Sequence, residues 1–194
     1  MLLYKYRSLQ NFNYFVDIVF KNRIFAASYS NMNDPMEGYF NYNPDDSSAD
    51  VINRIKSKKL NIKICSFSRN NNNHLMWSHY ADGHRGVAIG VKIDCNKYDV
   101  HHVNYDGISH FNICKTNSDL ETAKNILCYK STQWKYEEES RIFVYNKSGF
   151  VNVKIIEILL GTRMVIEDKE FIRKLIFKLN PEITVRDSEI MNII

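Results

Sequence analysis

Residues 65–91 read CSFSRNNNNHLMWSHYADGHRGVAIGV, the densest group of polar, titratable and aromatic residues in the chain. The stretch opens on an alternating strand pattern, and residues 75–81 follow as a short aromatic helix. Residues 87–93 are almost continuously apolar, which is typical of a central strand. Because this chemistry lies between two elements that look buried, we expect the stretch to form part of a binding cleft.

The remaining sequence alternates strand and helix patterns, with no internal repeat and no linker. Strands are predicted at residues 2–6, 24–27, 62–66, 100–105, 137–145, 154–160 and 184–186. Helices are predicted at 9–22, 49–59, 120–129 and 168–179, with Ser8 capping the first and Ser118 or Asp119 capping the third. The polar residues 43–48 are predicted to be mobile. This order predicts an α+β fold: a single domain over residues 1–194, with a mixed or antiparallel central sheet and flanking helices.

Composition excludes several classes of protein. Of the 194 residues, 44% are hydrophobic and 25% charged, as in ordinary soluble domains, and the net charge of +4 is too small to indicate nucleic-acid binding by itself. The four cysteines show no Cys-x-x-Cys spacing, so no metal site is predicted. Lys5 and Arg7 interrupt any leader-like apolar run, and no stretch is long enough to span a membrane. We therefore expect a cytoplasmic protein.

The opening motif Tyr4-Lys5-Tyr6-Arg7 alternates aromatic and basic side chains. On a strand, Lys5 and Arg7 share one face. Arg7 could grip a phosphate or carboxylate with its guanidinium fork. The alternative is an edge strand protected by charge.

A second motif, residues 33–37, reads Asn-Asp-Pro-Met-Glu. Asp34 and Glu37 could act as paired acids. Turn and cap roles fit better, because every residue type in the motif favours turns.

The opening stretch offers several candidate ligand contacts. Serine hydroxyls two positions apart emerge on one side of a strand end, and aromatic side chains three apart share a helix face. The alternative for the aromatic residues is a place in the core. Glycines 83 and 86 are predicted to permit a tight turn. The candidates for ligand binding are Ser66, Ser68, Trp77, Tyr80, His79 and His84.

A late motif, residues 134–141, reads Trp-Lys-Tyr-Glu-Glu-Glu-Ser-Arg. If it is a strand, Glu137, Glu139 and Arg141 project from one face. Glutamates are poor strand formers, so their presence favours a functional role. The alternative is a solvent-exposed Glu139–Arg141 pair.

Together these motifs resemble a bacterial family known as a domain of unknown function, number two-nine-seven-one. The resemblance rests on ordered blocks along most of the chain and implies no established activity. The matching blocks are 4–7, 33–37, 65–68, 75–86, 134–141 and 156–161.

The order of Arg7, Ser66-Phe67-Ser68 and 137–139 also resembles the Arg-Ser-Glu type of ADP-ribosyltransferase. This resemblance implies NAD as cofactor, with Arg7 on its phosphate or ribose and Glu139 as the catalytic carboxylate. The two serines would shape the nicotinamide floor, Trp77 or Tyr80 would stack on nicotinamide, and Glu137 would orient the acceptor.

The resemblance therefore implies ADP-ribosyl transfer to a protein or nucleic-acid acceptor, or NAD cleavage, as in a toxin or phage-defence effector. The alternative is a protein that binds a nucleotide or nucleotide-derived signal without chemistry. In that case Arg7, Arg85 and Arg141 would hold phosphates. RNA processing, using the basic helix at 49–59 and the histidines, is a third hypothesis. The oligomeric state is not predicted.

Overall fold

A computed structural model describes residues 1–42, 49–107, 109–111, 118–145 and 148–190. Residues 43–48, predicted to be mobile, lie outside these ranges. The strands are β1 (Leu2–Arg7), β2 (Arg23–Phe25), β3 (Ala27–Ser28), β4 (Phe40–Tyr42), β5 (Lys63–Ser68), β6 (Val87–Lys92), β7 (Val100–His102), β8 (Ser109–Phe111), β9 (Glu139–Val144), β10 (Phe150–Asn152), β11 (Lys154–Leu160) and β12 (Thr184–Asp187). The α-helices are α1 (Phe12–Lys21), α2 (Ala49–Leu60), α3 (His74–Tyr80), α4 (Asp119–Ile126) and α5 (Ile166–Leu179), with 3₁₀ turns at Tyr29–Asn31 and Thr132–Glu137.

Within the described residues, the main sheet has eight strands in the order β12-β11-β6-β1-β5-β9-β7, and β3 pairs with β5 beside this path. All its pairings are antiparallel except β11–β12, which is parallel. Two smaller pairs, β2–β10 and β4–β8, lie outside it. The predicted α+β class with a mixed, mostly antiparallel sheet is confirmed.

Alternation along β1 separates two core layers. Leu3 packs on one face with the buried residues of α1 and α5. Tyr4 and Tyr6 pack on the other face with Trp77 of α3, and the rings of Tyr6 and Trp77 meet edge to face at 5.3 Å. Each large apolar side chain buried in this way stabilises the fold by roughly 1.5–3 kcal/mol. Because β1 lies between these layers at the centre of the sheet, its backbone is held from both sides.

A third cluster joins helices α2 and α4 to the outer strands. Ile55 of α2 and Ile126 of α4 pack against Ile64 of β5 and Phe143 of β9. This cluster fixes the half of the sheet that carries β9.

Several predicted boundaries are confirmed and others are wrong. The strand at 154–160 is confirmed, and Ser118 caps α4 by accepting from the amide of Glu121 at 3.2 Å. Ser8 does not cap α1, which begins at Phe12. Its hydroxyl accepts instead from the amide of Gln10 in a local turn.

Candidate functional site

The hydrogen-bonded pairing of the main sheet is interrupted between β1 and β5. The two strands share one residue pair, Tyr4 with Ser68. Further along the same edge of β5, β3 takes over, with Ala27 opposite Ile64. The segment between these two pairings is left without a continuous partner strand, and the Lys5 amine reaches across to donate to the Ser66 carbonyl at 2.7 Å.

A cleft of about 580 Å³ opens at this gap, which is within the range of sites for small molecules and cofactors. Its walls come from β1, β5, the end of α3 and the start of β9. The predicted site residues that it brings together are Arg7, Ser66, Ser68, His79, Tyr80, Glu137 and Glu139.

Two of the cations that line the cleft, Lys5 and Arg7, lie on β1, and Lys130 lines it from the opposite side. Burial lowers the pKa of Lys5 to about 8 and also lowers the pKa of Arg7. The Nε of Arg7 is buried without a hydrogen-bond partner in the described part of the chain. Orphaned donors of this kind are rare in folded proteins. The cleft therefore carries positive charge that no protein carboxylate neutralises by direct contact among the described residues.

The Arg7 backbone is fixed by a close approach from the turn after α3. A Cβ on Gly86 would lie 2.2 Å from the Arg7 carbonyl oxygen, so only glycine fits there. The sequence prediction that Gly86 permits a tight turn is confirmed. This contact fixes the end of β1 and therefore the backbone position from which the Arg7 side chain extends.

The opposite wall is acidic and almost completely buried. The hydroxyl of Tyr80 donates to Oε1 of Glu137 at 2.5 Å. Lys130 Nζ lies 2.5 Å from Oε2 of Glu137 and 3.1 Å from Oε2 of Glu139. One amine therefore holds the two carboxylates together.

Behind this wall lies Arg141, which is completely buried. Its Nε and Nη2 donate to the two oxygens of Glu139, both at 2.8 Å. Its Nη1 and Nη2 also donate to Glu37, and Nη1 donates to the Leu127 carbonyl. Burial disfavours the charge on Glu139, but Arg141 and Lys130 hold its pKa down to about 2.

The expectation that Glu137, Glu139 and Arg141 lie on one strand face is wrong in part. Glu137 ends a 3₁₀ turn, and β9 begins only at Glu139. Glu138 between them is left-handed, with φ 45°, and its carbonyl accepts from the Arg69 amide. The two carboxylates meet because this turn reverses the chain toward Lys130, not because of strand periodicity.

Three candidate ligand contacts lie away from the cleft wall. Trp77 is fully buried, and its indole nitrogen donates to the Asn71 carbonyl at 2.9 Å. His84 stacks on the outer side of Trp77, with ring centroids 6.2 Å apart. The third is Arg141, which is completely buried and does not line the cleft. The alternative of a solvent-exposed Glu139–Arg141 pair is therefore wrong as well.

His79 does line the cleft, at its rim. Its ring lies 6.0 Å from the Tyr136 ring and 6.4 Å from the Tyr80 ring, measured between centroids. An exposed imidazole beside two tyrosines can contact a ligand that reaches out of the cleft.

The residues that the sequence reasoning missed are Lys130 and the long-range role of Glu37. Lys130 sits in a segment without periodicity, where no pattern marks it. The turn interpretation of residues 33–37 is confirmed for Asp34, whose carboxylate accepts from the Met36 amide at 2.8 Å. Glu37 closes the same turn, because its amide donates to the Asp34 carbonyl at 3.0 Å, but its side chain also forms a buried ion pair with Arg141 that the turn interpretation did not predict.

Among the described residues, no cluster of three or more His, Cys, Asp or Glu side chains has the arrangement of a metal site. In the same residues, no helix combines the length and the apolar character needed to cross a bilayer.

The fold and the cleft define an α+β protein with a charged, ligand-sized opening at a break in its central sheet. The model of a family described as "Protein of unknown function (DUF2971)" matches residues 76–142, about a third of the chain. The match runs from α3 into β9, so it includes the acidic wall with Tyr80, Glu137 and Glu139 and leaves β1 and β5 outside. It supports the resemblance to that family of unknown function. No curated protein and no solved structure matches the chain.

Proposed function

We propose that the cleft binds a nucleotide-type molecule, with NAD as the first candidate. The observation that carries this proposal is the unpartnered, buried Nε of Arg7 in a cleft of about 580 Å³. A buried guanidinium donor without an acceptor is costly unless a ligand supplies one. Phosphate is a suitable acceptor, since its oxygens match the guanidinium fork.

Lys5 strengthens the case for an anionic ligand. It lines the same cleft, and its amine has a backbone carbonyl as its hydrogen-bond acceptor. An ammonium so placed adds a second positive charge beside Arg7. A phosphate or diphosphate entering between them would restore the electrostatic balance of the gap.

The far wall suits the other parts of a nucleotide. Glu137 has one acceptor position left on each oxygen after bonding Tyr80 and Lys130, enough to accept from ribose hydroxyls. The Tyr80 ring lines the cleft and can pack against a planar base. A bound NAD would thus have its phosphates at Arg7 and its nicotinamide ribose, which ADP lacks, at Glu137.

Cleavage of NAD is a second candidate, favoured by the gathering of Arg7, Ser66, Ser68 and Glu139 around one cleft. When nicotinamide departs, its bond to ribose breaks and an oxocarbenium-like sugar remains. A nearby carboxylate stabilises that positive charge until water or an acceptor attacks. Glu139 is largely occupied by Arg141 and Lys130, so Glu137 is the carboxylate with more capacity to contact the ribose.

The binding proposal is tested by titrating NAD into wild-type protein, Arg7→Gln and a matched control, Arg54→Gln, in calorimetry. Arg54 lies on the surface and pairs with Asp119. We expect binding to wild type and to the control, with affinity reduced about tenfold or more in Arg7→Gln. If no nucleotide from a panel of NAD, ADP-ribose, ADP and AMP binds wild-type protein, the proposal is wrong.

Mass spectrometry of NAD incubated with the same proteins separates binding from cleavage. Release of nicotinamide by wild type but not by Glu137→Gln or Glu139→Gln would support the enzyme. Saturable binding with intact NAD, and no label transferred to protein or RNA, would favour a nucleotide-binding protein without chemistry.

A further inference from the structure

Residues 33–38 form a loop next to the cleft, here called the 33–38 loop, which is fastened at three points. Asn33 Nδ2 donates to the Tyr80 hydroxyl at 2.8 Å. The two carboxylate oxygens of Glu37 accept from Nη1 and Nη2 of Arg141, at 2.5 and 2.9 Å. The Gly38 carbonyl accepts from Lys59, whose ammonium lies about 5 Å from the Tyr29 ring. A loop of turn-forming residues is thereby held at both ends.

Two of these fastenings lead directly to the cleft carboxylates. Tyr80, which accepts from Asn33, donates to Glu137. Arg141, which pairs with Glu37, also pairs with Glu139. Because Lys130 joins the two carboxylates, the contacts form a closed circuit that begins and ends in the 33–38 loop.

We propose that the 33–38 loop sets the position of the Glu137 and Glu139 carboxylates, with Glu37 acting as a positioning residue for the ligand site. The inference rests on the proposed function for what the site binds. Within the part of the chain that the structure describes, Glu37 does not line the cleft and is linked to it through Arg141, which pairs with Glu139 of the lining. Its effect on a ligand is therefore indirect.

The charges of the circuit explain why Glu37 matters beyond packing. Three carboxylates share two cations, Lys130 and Arg141, in the interior. Each cation therefore divides its donors between two acids, and the geometry of one acid depends on the others. Without Glu37, the Arg141 guanidinium loses two of its acceptors and keeps Glu139 and the Leu127 carbonyl, so the guanidinium and the Glu139 carboxylate that it binds are held less firmly.

Glu37→Gln is the variant that tests this, because it keeps the size of the side chain and removes its charge. Glu37→Asp keeps the charge and shortens the reach, and it serves if Glu37→Gln does not fold. Asp119→Asn, at the exposed partner of Arg54, is the matched carboxylate-to-amide control. Each protein is measured for hydrogen exchange without ligand and for affinity toward NAD and ADP.

Hydrogen exchange decides the positioning role without reference to any ligand. We expect exchange in peptides covering the last turn of α3 and the start of β9 to speed up about tenfold in Glu37→Gln and to stay unchanged in Asp119→Asn. Unchanged exchange at both cleft walls in a folded Glu37 variant would overturn the proposal.

Nucleotide affinity separates positioning from general loosening. The loss should fall on NAD, by about tenfold, while ADP, held through Arg7 outside the circuit, should change less than about twofold. Equal losses for NAD and ADP would contradict the proposal. If wild type binds neither nucleotide, the proposed function fails, and the exchange measurement still decides whether the loop positions the two carboxylates.

Discussion

Arg141 donates to both carboxylate oxygens of Glu37, which lies 104 positions earlier in the chain, in an ion pair that solvent does not reach. The same guanidinium donates through Nε and Nη2 to the two carboxylate oxygens of Glu139. One side chain thus connects the 33–38 loop, strand β9 and the acidic wall of the cleft.

Replacing Arg141 by Met should cost roughly 3–5 kcal/mol in the free energy of unfolding, because Glu37 and Glu139 would be left buried without their main partner. Urea denaturation measures this change. Arg54→Met removes an exposed arginine from an ion pair and should cost less than about 1 kcal/mol. Similar losses in the two variants would show that the buried pair does not carry the stability assigned to it.

Glu139 should contribute to acid sensitivity. Its pKa lies at about 2 in the folded protein against 4.5 ordinarily, so the folded state binds its proton less readily than the unfolded chain. Its stabilising contribution is therefore present above pH 4.5 and is lost as the pH falls toward 2. The pH dependence of the unfolding free energy should be flatter in that window for Glu139→Gln than for wild type. Glu167→Gln, at an exposed residue of α5, is the control, and equal slopes for all three proteins would contradict the assignment.

Anion binding in the cleft should weaken as the pH rises through 8. Burial places the pKa of Lys5 at about 8, so its positive charge disappears above that pH. Calorimetric titration of ADP about one unit below and one unit above this pKa should show the lower affinity at the higher pH. Lys5→Met should bind less tightly and lose this dependence. A dependence retained in Lys5→Met would point to another titrating group.

Substitutions at Trp77 and at Tyr80 should affect different properties, the first mainly stability and the second mainly ligand binding. Trp77→Phe empties part of the core and deletes the bond to Asn71, so we expect a loss of roughly 1–3 kcal/mol in unfolding free energy. Its affinity for NAD should stay unchanged, because the indole does not reach the cleft. Tyr80→Phe should show the opposite balance, with reduced NAD affinity, since its hydroxyl orients Glu137. Denaturation and calorimetry on both variants measure this, and a weaker affinity in folded Trp77→Phe would contradict it.

Elements with a clear period could be predicted from the sequence. The alternation of Tyr4 and Tyr6 with Lys5 and Arg7 placed β1 correctly, and the apolar run after Gly86 identified β6 as a central strand. These patterns show which side of a strand is buried, and that information is contained in the residues of the strand itself. The short strands β3, β4, β8 and β10 were not predicted as separate strands, because two or three residues carry little periodicity, and the three-residue strands β2 and β7 were predicted only as parts of the longer strands 24–27 and 100–105.

The candidate site was only partly predictable for a related reason. Arg7, Ser66, Ser68 and Tyr80 occupy regular elements, so their directions followed from the local pattern. The circuit through Glu37, Lys130 and Arg141 depends on contacts between distant segments. A single sequence contains no signal for which buried acid meets which buried base.

The single backbone pair between β1 and β5 means that the separation of these strands at the cleft is set by side chains rather than by a hydrogen-bond ladder. Substitutions at Lys5 can therefore change the width of the opening while the rest of the sheet keeps its register. A protein built in this way can change the shape of its cleft by exchanging a few residues where the two strands meet. The architecture is therefore a starting point for redesign.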